Sequence, residues 1–146
     1  MSVAEYLSTI EEIREDGVRL AQPREPGLHP VERLAVTAGK VYGPEHPNTA
    51  RILLNLGLTR MDLGKDAAAQ QNLERALAIQ ERNFGPASPR LVPTLDDLAS
   101  LHLRNGRYAE AEPLYRRLLA MRDQGVEYKG WDKVLANYER LTAGSR

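Results

Sequence analysis

The chain has 146 residues, of which 42% are hydrophobic, so it is long enough for one domain with its own core. Twenty basic residues balance twenty acidic ones, and this neutral balance gives no support for a nucleic-acid partner. The absence of cysteine excludes disulfides, thiol chemistry and cysteine-ligated zinc.

The start of the chain predicts an amphipathic helix over residues 3–20, with Tyr6, Leu7, Ile10 and Ile13 at helical spacing. Its acidic residues stand where a signal peptide has an apolar run, and no stretch reaches the roughly 20 apolar residues of a membrane span. A soluble, cytoplasmic protein is therefore expected. This helix folds back on the rest of the chain, pairs with another copy or lies on a membrane, and its acidic face makes membrane contact the weakest option.

A proline-rich loop over residues 22–30 leads to a second predicted helix, residues 31–42. Leu34, Ala35, Ala38 and Val41 form its apolar stripe. The helix ends at Tyr42, before Gly43 and a proline, because glycine accepts a left-handed cap and proline cannot continue the helix.

Residues 43–124 read as one segment written twice, with the second copy 42 residues after the first. The identical positions are Gly43/Gly85, Pro44/Pro86, Pro47/Pro89, Leu53/Leu95, Leu56/Leu98, Gly64/Gly106, Ala67/Ala109, Ala69/Ala111, Arg75/Arg117, Leu77/Leu119 and Ala78/Ala120. A period between 20 and 50 residues is typical of stacked repeats, in which each unit covers the apolar face of its neighbour.

Each copy predicts two helices joined by a short turn at Gly64 or Gly106. The predicted helices span residues 47–63, 66–83, 89–104 and 108–123, with Asp66 as an N-cap and a local bend at Pro113. A last helix over residues 131–142 aligns with the first helix of each unit at an offset of 40 and has no partner helix after it. The fold class is all-α with about seven helices, divided into a degenerate pair (1–42), two repeats (43–84 and 85–126) and a capping helix with its tail (127–146).

Two phrases of the repeat, GPEHPNTA at residues 43–50 and GRYAEAEPLY at residues 106–115, resemble the tetratricopeptide repeat of the kinesin light chain type. The resemblance implies a right-handed α-solenoid of antiparallel helix pairs, with a concave groove lined by the first helix of each unit. Gly57, Ala69, Ala99 and Ala111 are then the small residues that let helices approach closely. Leu118 departs from this pattern, which usually has a small residue there, so looser packing of the last helix is expected.

Repeats of the kinesin light chain type carry asparagines near the middle of the groove helix, and the aligned positions here are Asn55, Asp97 and Asn137. Amides along a groove donate to and accept from a peptide backbone with little demand on its sequence. Further candidates for the partner-binding groove are Arg51, Leu58, Met61, Ser100, Arg104, Lys133 and Arg140. The alternative is that these polar residues solvate an exposed face or join neighbouring helices.

The remaining polar and aromatic residues point to structure. His29, His46 and His102 make no metal motif, and His46 and His102 are expected to cap a helix or face solvent. Tyr42 and Phe84, at equivalent unit ends, are expected to pack between units. Trp131 either packs the end of the stack or forms an exposed anchor for a partner.

The sequence therefore predicts a non-enzymatic adaptor or scaffold without metal or cofactor, whose groove binds a protein partner. Small bacterial proteins with kinesin light chain-like repeats include the bacterial kinesin light chains, which are associated with bacterial tubulin filaments and membranes, so a tubulin-like filament subunit is one candidate partner. The alternatives are a chaperone-like or regulatory binder of short extended peptides, and a structural module that self-associates through its open ends. A monomer or weak homo-oligomer is expected.

Overall fold

The computed structural model describes residues 30–144, with side chains from Arg33 onward, and this part of the chain is all-helical. Its six α-helices are α1 (Pro30–Tyr42), α2 (Pro47–Asp62), α3 (Asp66–Phe84), α4 (Val92–Arg104), α5 (Tyr108–Asp123) and α6 (Trp131–Gly144), and a short 3-10 helix, Pro89–Leu91, precedes α4. The predicted helices agree with these within a few residues, and the predicted helix over residues 3–20 lies outside the described part.

The helices stack in chain order as a solenoid does. Helices α2 and α3 pack against each other, as do α4 and α5, and the contacts of α1 with α2, α3 with α4 and α5 with α6 join one pair to the next. The main apolar core runs from α3 to α6, and two smaller clusters lie between α1 and α2 and between α2 and α3. The fully buried members of the main core include Leu73, Leu95, Tyr115, Leu118, Val134 and Leu141. This connected core confirms the predicted all-α architecture of stacked helix pairs.

Small residues allow the two helices of a pair to approach closely, as predicted. A Cβ atom built on Gly57 would lie 3.0 Å from the side chain of Leu73 and 3.4 Å from the carbonyl oxygen of Ala69. Ala99 and Ala111, the corresponding small residues of the second pair, are both fully buried. A larger side chain at these positions would push the paired helices apart, because protein interiors leave almost no free volume.

The turns between units are held by an arginine that the repeat preserves. Arg75 donates to the carbonyl oxygen of Pro44 at 3.2 Å, and Arg117 makes the same bond to Pro86 at 2.6 Å. In each turn the glycine before that proline has a positive φ, 93° at Gly43 and 88° at Gly85, which favours a residue without Cβ. The repeat identities at these positions therefore encode the junction between units.

The first helix of each unit begins with a side-chain cap at the same repeat position. The His46 Nδ1 atom accepts a hydrogen bond from the backbone N–H of Asn48 at 3.0 Å, and the Ser88 hydroxyl accepts one from Arg90 at 3.3 Å. The capping role expected for His46 is therefore confirmed.

The aromatic residues at the unit ends pack as predicted. A polar side chain also lies over the ring of each one. Tyr42 packs against the small cluster of Ala38 and Ile52 and stacks on the His46 ring at 5.1 Å. Phe84 packs against the main core, and the Arg90 guanidinium lies 4.6 Å from its ring centroid.

Two sequence-based expectations about the helix ends are wrong. Val41 is 51% exposed, because at the end of α1 it is Tyr42 that packs against the Ala38 cluster. Asp66 does not cap α3: the helix begins at Asp66 itself, and its carboxylate accepts a hydrogen bond from Arg104 instead. Leu118 is fully buried in the same cluster as residues of α6, and looser packing of the last helix stays a prediction.

Pro113 lies inside α5, as the sequence placed it, and the local bend there stays a prediction.

Candidate binding groove

The first helices of successive units, α2, α4 and α6, lie side by side and form one face of the stack. Helix α4 contacts both α2 and α6. Asn55, Asp97 and Asn137 occupy equivalent positions on the three helices; Asn55 is exposed, and Asp97 and Asn137 are half-buried. Amide and carboxylate groups are therefore repeated along this face at the spacing of the helices.

A cavity of about 480 Å³ lies where α4 faces α6. It is lined by Ser100, Leu103, Arg104, Gly106, Tyr108, Lys133, Asn137 and Arg140. Five of the ten predicted groove residues meet here, namely Ser100, Arg104, Lys133, Asn137 and Arg140. The other five, Arg51, Asn55, Leu58, Met61 and Asp97, lie outside this cavity. Met61 packs partly against the main core, as does the cavity residue Leu103.

Three cations line the cavity and no carboxylate does. The Arg104 guanidinium donates to the Asp66 carboxylate and, at 3.3 Å, to the Met61 carbonyl oxygen. The Lys133 ammonium lies 3.6 Å from an Asp96 carboxylate oxygen. Among the described residues Arg140 has no ion pair. The Asp66 and Asp96 carboxylates near two of these cations are not among the residues that line the cavity.

Asp96 is a buried acid that the sequence did not reveal as a site residue. It is 1% exposed, and the Tyr128 hydroxyl donates to its carboxylate at 2.7 Å. The Ser100 hydroxyl adds a longer bond of 3.4 Å. Because a buried charge needs such partners, these bonds and the Lys133 ion pair fix the last linker and α6 against α4. The available signal was that Asp96 replaces the apolar Leu54 of the first unit.

Tyr128 reaches Asp96 because the end of the linker is shaped around its ring. A Cβ atom on Gly130 would overlap the Tyr128 ring. The Tyr128 and Trp131 rings meet edge to face at 5.3 Å, and the Trp131 indole N–H donates to the Val126 carbonyl oxygen at 2.9 Å. Trp131 therefore packs the end of the stack, the first of its two predicted roles, although one side of it lines a shallow cavity of about 760 Å³.

The pKa of Asp97 is raised to about 6, first by burial and then by repulsion from Asp96, while Lys133 lowers it. At neutral pH this carboxyl group is therefore ionised less completely than that of an exposed aspartate. The group is a polar position of the groove that both donates and accepts over a mildly acidic range.

Tyr115 places a polar atom beneath the cavity. Its side chain is fully buried, and its hydroxyl has no hydrogen-bond partner. Burial raises the pKa of Tyr115, and the nearby Ser100 and Asn137 side chains oppose this shift without reaching hydrogen-bond geometry. A buried hydroxyl without a well-aligned partner costs free energy, so Tyr115 is an unfavourable polar group in the core near Ser100 and Asn137.

His102 does not face solvent, and that expectation is wrong. The ring is 4% exposed, and its Nδ1 atom lies 3.1 Å from the Glu110 carboxylate, without the alignment of a hydrogen bond. Burial lowers the pKa of His102, and Glu110 opposes this. The side chain sits between α4 and α5 as a core residue because α5 covers this face of α4.

Two general features of the described residues bear on the kind of site. Within residues 30–144 no three His, Asp or Glu side chains come together as a metal site would need. In the same part of the chain, every helix is too short or too polar to cross a membrane.

Comparison with known proteins adds the family. The model of the tetratricopeptide repeat family matches residues 33–81 and 50–124. No curated protein matches the sequence.

Two crystal structures show the same fold: the nearly identical TPR-like repeats of a protein assigned as a kinesin light chain from Podosopora anserina, and a single-substitution variant of it. The variant superposes with a TM-score of 0.66 and the other structure with 0.65, each at 16% sequence identity, over 98% of this chain and 81% of theirs. The repeat match and the stacked helix pairs agree, and the fold is consistent with a protein-interaction adaptor. The chain belongs to the tetratricopeptide repeat family.

Proposed function

We propose that this protein is a non-catalytic interaction module whose α2–α4–α6 face binds an extended segment of a protein partner. The observation that carries the proposal is the cavity between α4 and α6, where five residues predicted to bind a partner come together. One of the three repeated positions Asn55, Asp97 and Asn137 lines this cavity, namely Asn137.

The chemistry of this face suits a peptide backbone. Asn137 offers an amide that donates and accepts, and the half-buried Leu103 offers apolar surface beside it. Arg104, Lys133 and Arg140 add charge at one end. Such a surface takes its affinity from main-chain hydrogen bonds and its specificity from side-chain pockets.

A combined Asn55→Ala, Asp97→Ala and Asn137→Ala variant tests the groove. Binding should be measured by fluorescence anisotropy against peptides selected on the wild-type protein from an unbiased library, and we expect a loss of at least tenfold. Gln71→Ala, an amide exposed on α3, is the matched control and should bind as the wild type does. Melting curves must first show that the triple variant is folded. Unchanged binding by the folded triple variant would rule out this face.

The same peptides separate an adaptor from a chaperone-like binder. An adaptor selects a narrow set of related sequences, whereas a chaperone-like module binds unrelated extended segments with similar affinity. A selection that converges on one motif favours the adaptor.

The kinesin light chain-like repeats also suggest a subunit of a bacterial tubulin filament as the partner. This part of the proposal rests on the repeat resemblance. Co-sedimentation with assembled filaments tests it: the wild type should pellet with the filaments and the triple groove variant should not. Failure of the wild type to pellet with them would remove this partner and leave the groove proposal in place.

Self-association through the open end of the stack is opposed by one residue of α6. Glu139 stands where the first helices of the two units carry Gly57 and Ala99, and it is exposed. A helix packing there as α3 packs on Gly57 would bury a carboxylate without a partner, which is unfavourable. Sedimentation velocity over a hundredfold range of concentration tests this, and a constant monomer mass is the expected result.

A further inference from the structure

The cavity between α4 and α6 is unusual in that all its polar side chains can donate hydrogen bonds. These are the guanidinium groups of Arg104 and Arg140, the Lys133 ammonium, the Asn137 amide, and the hydroxyls of Ser100 and Tyr108. No acid lines it, so a bound group must be rich in acceptors and negative charge.

One of the three cations, Arg104, is held by hydrogen bonds before any ligand arrives, and a second, Lys133, has an acid within ion-pair distance. Arg104 is fixed by the Asp66 carboxylate and the Met61 carbonyl oxygen. Lys133 is drawn towards Asp96, whose own position is fixed by the Tyr128 hydroxyl. Arg140, without an ion pair among the described residues, is left for the ligand. A donor held as Arg104 is loses less conformational entropy on binding than an unrestrained side chain would.

We propose that this cavity binds a phosphoryl group carried on a side chain of the partner's extended segment. The inference rests on the proposed function, because the cavity shares Asn137 and the helices α4 and α6 with the face that would hold the segment. It makes recognition of the partner dependent on phosphorylation, with Arg140 as the cation that is neutralised only by the ligand.

The number of donors favours a phosphoryl group over a carboxylate. A carboxylate is planar and has two oxygens, whereas a phosphorylated side chain has three terminal oxygens and a charge of about −1.5 to −2 at neutral pH. Three cations and three neutral donors surround a space of about 480 Å³. The tetrahedral dianion can satisfy donors from both α4 and α6 at once, and guanidinium groups bind its oxygens in pairs.

The position of Asp97 refines the kind of segment that fits. Asp97 and Asp96 lie on the α4 side of Lys133, close enough for their charges to act on one another. The phosphoryl group is therefore expected at the Arg140 side of the cavity. The residue of the segment that lies nearest Asp97 should not be acidic, because it and Asp97 would repel each other.

The test uses three acetylated and amidated peptides that differ only in a central serine, phosphoserine or glutamate flanked by alanines. Titration of the full chain is followed in ¹H–¹⁵N NMR spectra. Saturable shifts at residues 100, 137 and 140 are expected with phosphoserine, with at least tenfold weaker binding of glutamate and none of serine. Arg140→Gln should weaken phosphoserine binding about tenfold, whereas the matched control Arg116→Gln, on the exposed side of α5, should leave it unchanged.

Several outcomes would overturn the inference. Equal affinity for glutamate and phosphoserine, shifts confined to other residues, or no effect of Arg140→Gln would each remove the phosphoryl site. Inorganic phosphate that binds as tightly as the phosphopeptide would show an anion site without segment recognition. Binding to vesicles of phosphatidylserine and phosphatidylcholine that depends on Arg140, without phosphopeptide binding, would assign the cavity to a lipid surface instead.

Failure of this inference is distinguishable from failure of the proposed function. Selected library peptides could bind the wild type, bind the Asn55→Ala and Asp97→Ala variants more weakly, and bind equally well with and without phosphorylation. That result would support the groove proposal and contradict the phosphoryl site. Alternatively, phosphoserine could bind at Arg140 while Asn55→Ala and Asp97→Ala change the binding of no selected peptide. That result would support the phosphoryl site and contradict the longer groove.

Discussion

The two repeat units share their packing frame but differ at the middle of the first helix. Leu54 of the first unit packs partly buried against apolar neighbours, and its counterpart in the second unit is the buried acid Asp96. The difference extends to the surroundings. Tyr128 and Lys133 contact Asp96. At the 40-residue offset of α6 they align with Ser88 and Pro93 of the preceding unit.

This comparison shows that the repeat varies in matched sets of residues. The buried position holds an acid, Asp96, in the unit where the Tyr128 hydroxyl and the Lys133 ammonium group lie close to it. An unpartnered buried carboxylate would cost several kcal/mol. Further along the same helices a residue and its partner also differ together. Arg60 of the first unit donates to Asn72 at 2.5 Å, and its counterpart His102 lies against Glu110. The Asp96 set thus joins the second unit to α6, and the His102 pair joins α4 to α5 within that unit.

The largest effect is expected where the second unit carries a larger core residue than the first. Leu118→Ala restores the alanine that the first unit has at position 76, and it should lower the free energy of unfolding by about 2–5 kcal/mol, because it leaves a cavity between α5 and its neighbours. Urea unfolding followed by circular dichroism measures this. Leu63→Ala, at a leucine that is 61% exposed, is the matched control and should change stability by less than about 0.5 kcal/mol.

A loss of less than about 1 kcal/mol for Leu118→Ala would mean that α5 and α6 close the gap. The two units would then tolerate the same residue, and the observed difference in size would not be needed for packing.

Removal of the acid that distinguishes the second unit should have the next largest effect. Asp96→Ala leaves the Tyr128 hydroxyl and Lys133 without their acceptor, and about 1–3 kcal/mol of stability should be lost. Tyr128→Phe should cost less. The double variant should lose less than the sum of the single ones, since both remove the same hydrogen bond. Strict additivity in urea unfolding would contradict the network.

Asp97, the groove residue next to Asp96, should make the free energy of unfolding depend on pH. Its counterpart in the first unit, Asn55, does not titrate. Between pH 4 and 6 the folded protein keeps a proton on Asp97 that the unfolded chain releases, because the pKa rises from 3.8 to about 6 on folding. The free energy of unfolding therefore falls as pH rises through this window and stays lowered above it. Asp97→Asn, which introduces the residue of the first unit, should remove this dependence.

At pH 7 the Asp97→Asn variant should be more stable than the wild type by on the order of 1–2 kcal/mol, since each pKa unit corresponds to about 1.4 kcal/mol and solvent screens the half-buried group. Melting curves at pH 4, 5, 6 and 7 measure the difference. His102 acts in the opposite direction: its pKa is lowered on folding, so its stabilising effect is lost as pH falls below 6.5. Because both proteins contain His102, its contribution cancels. Parallel pH profiles would contradict the assignment to Asp97.

The smallest effect is expected at the cap that both units share. Ser88→Ala removes the acceptor for the Arg90 backbone N–H and should cost about 0.5–1 kcal/mol. Ser88→Asn, which keeps a side-chain acceptor, should behave almost as the wild type in the same urea titrations. A loss of stability in both variants would show that the contribution of Ser88 is not capping.

Much of the fold was readable from the sequence because packing rules act locally and repeat. The glycine–proline turns, the small residues at Gly57 and Ala99 and the helix spans follow from residue type and spacing. The paired arginines were visible as identities, and only the coordinates show that each binds the carbonyl oxygen of a turn proline. The binding role of the groove candidates stays a prediction: alignment of the first helices selected Asn137, which lines the cavity, and also Asn55 and Asp97, which do not.

What the sequence determined by itself is the all-α repeat, since a 42-residue echo of apolar and turn residues can bury its core only by stacking like units. The tertiary structure alone decided where the unmatched polar residues go. Asp96 is buried because Tyr128, 32 residues away, folds back to meet it, and His102 is buried because α5 covers it. Such contacts depend on distances between separate helices, which no local spacing in the chain encodes.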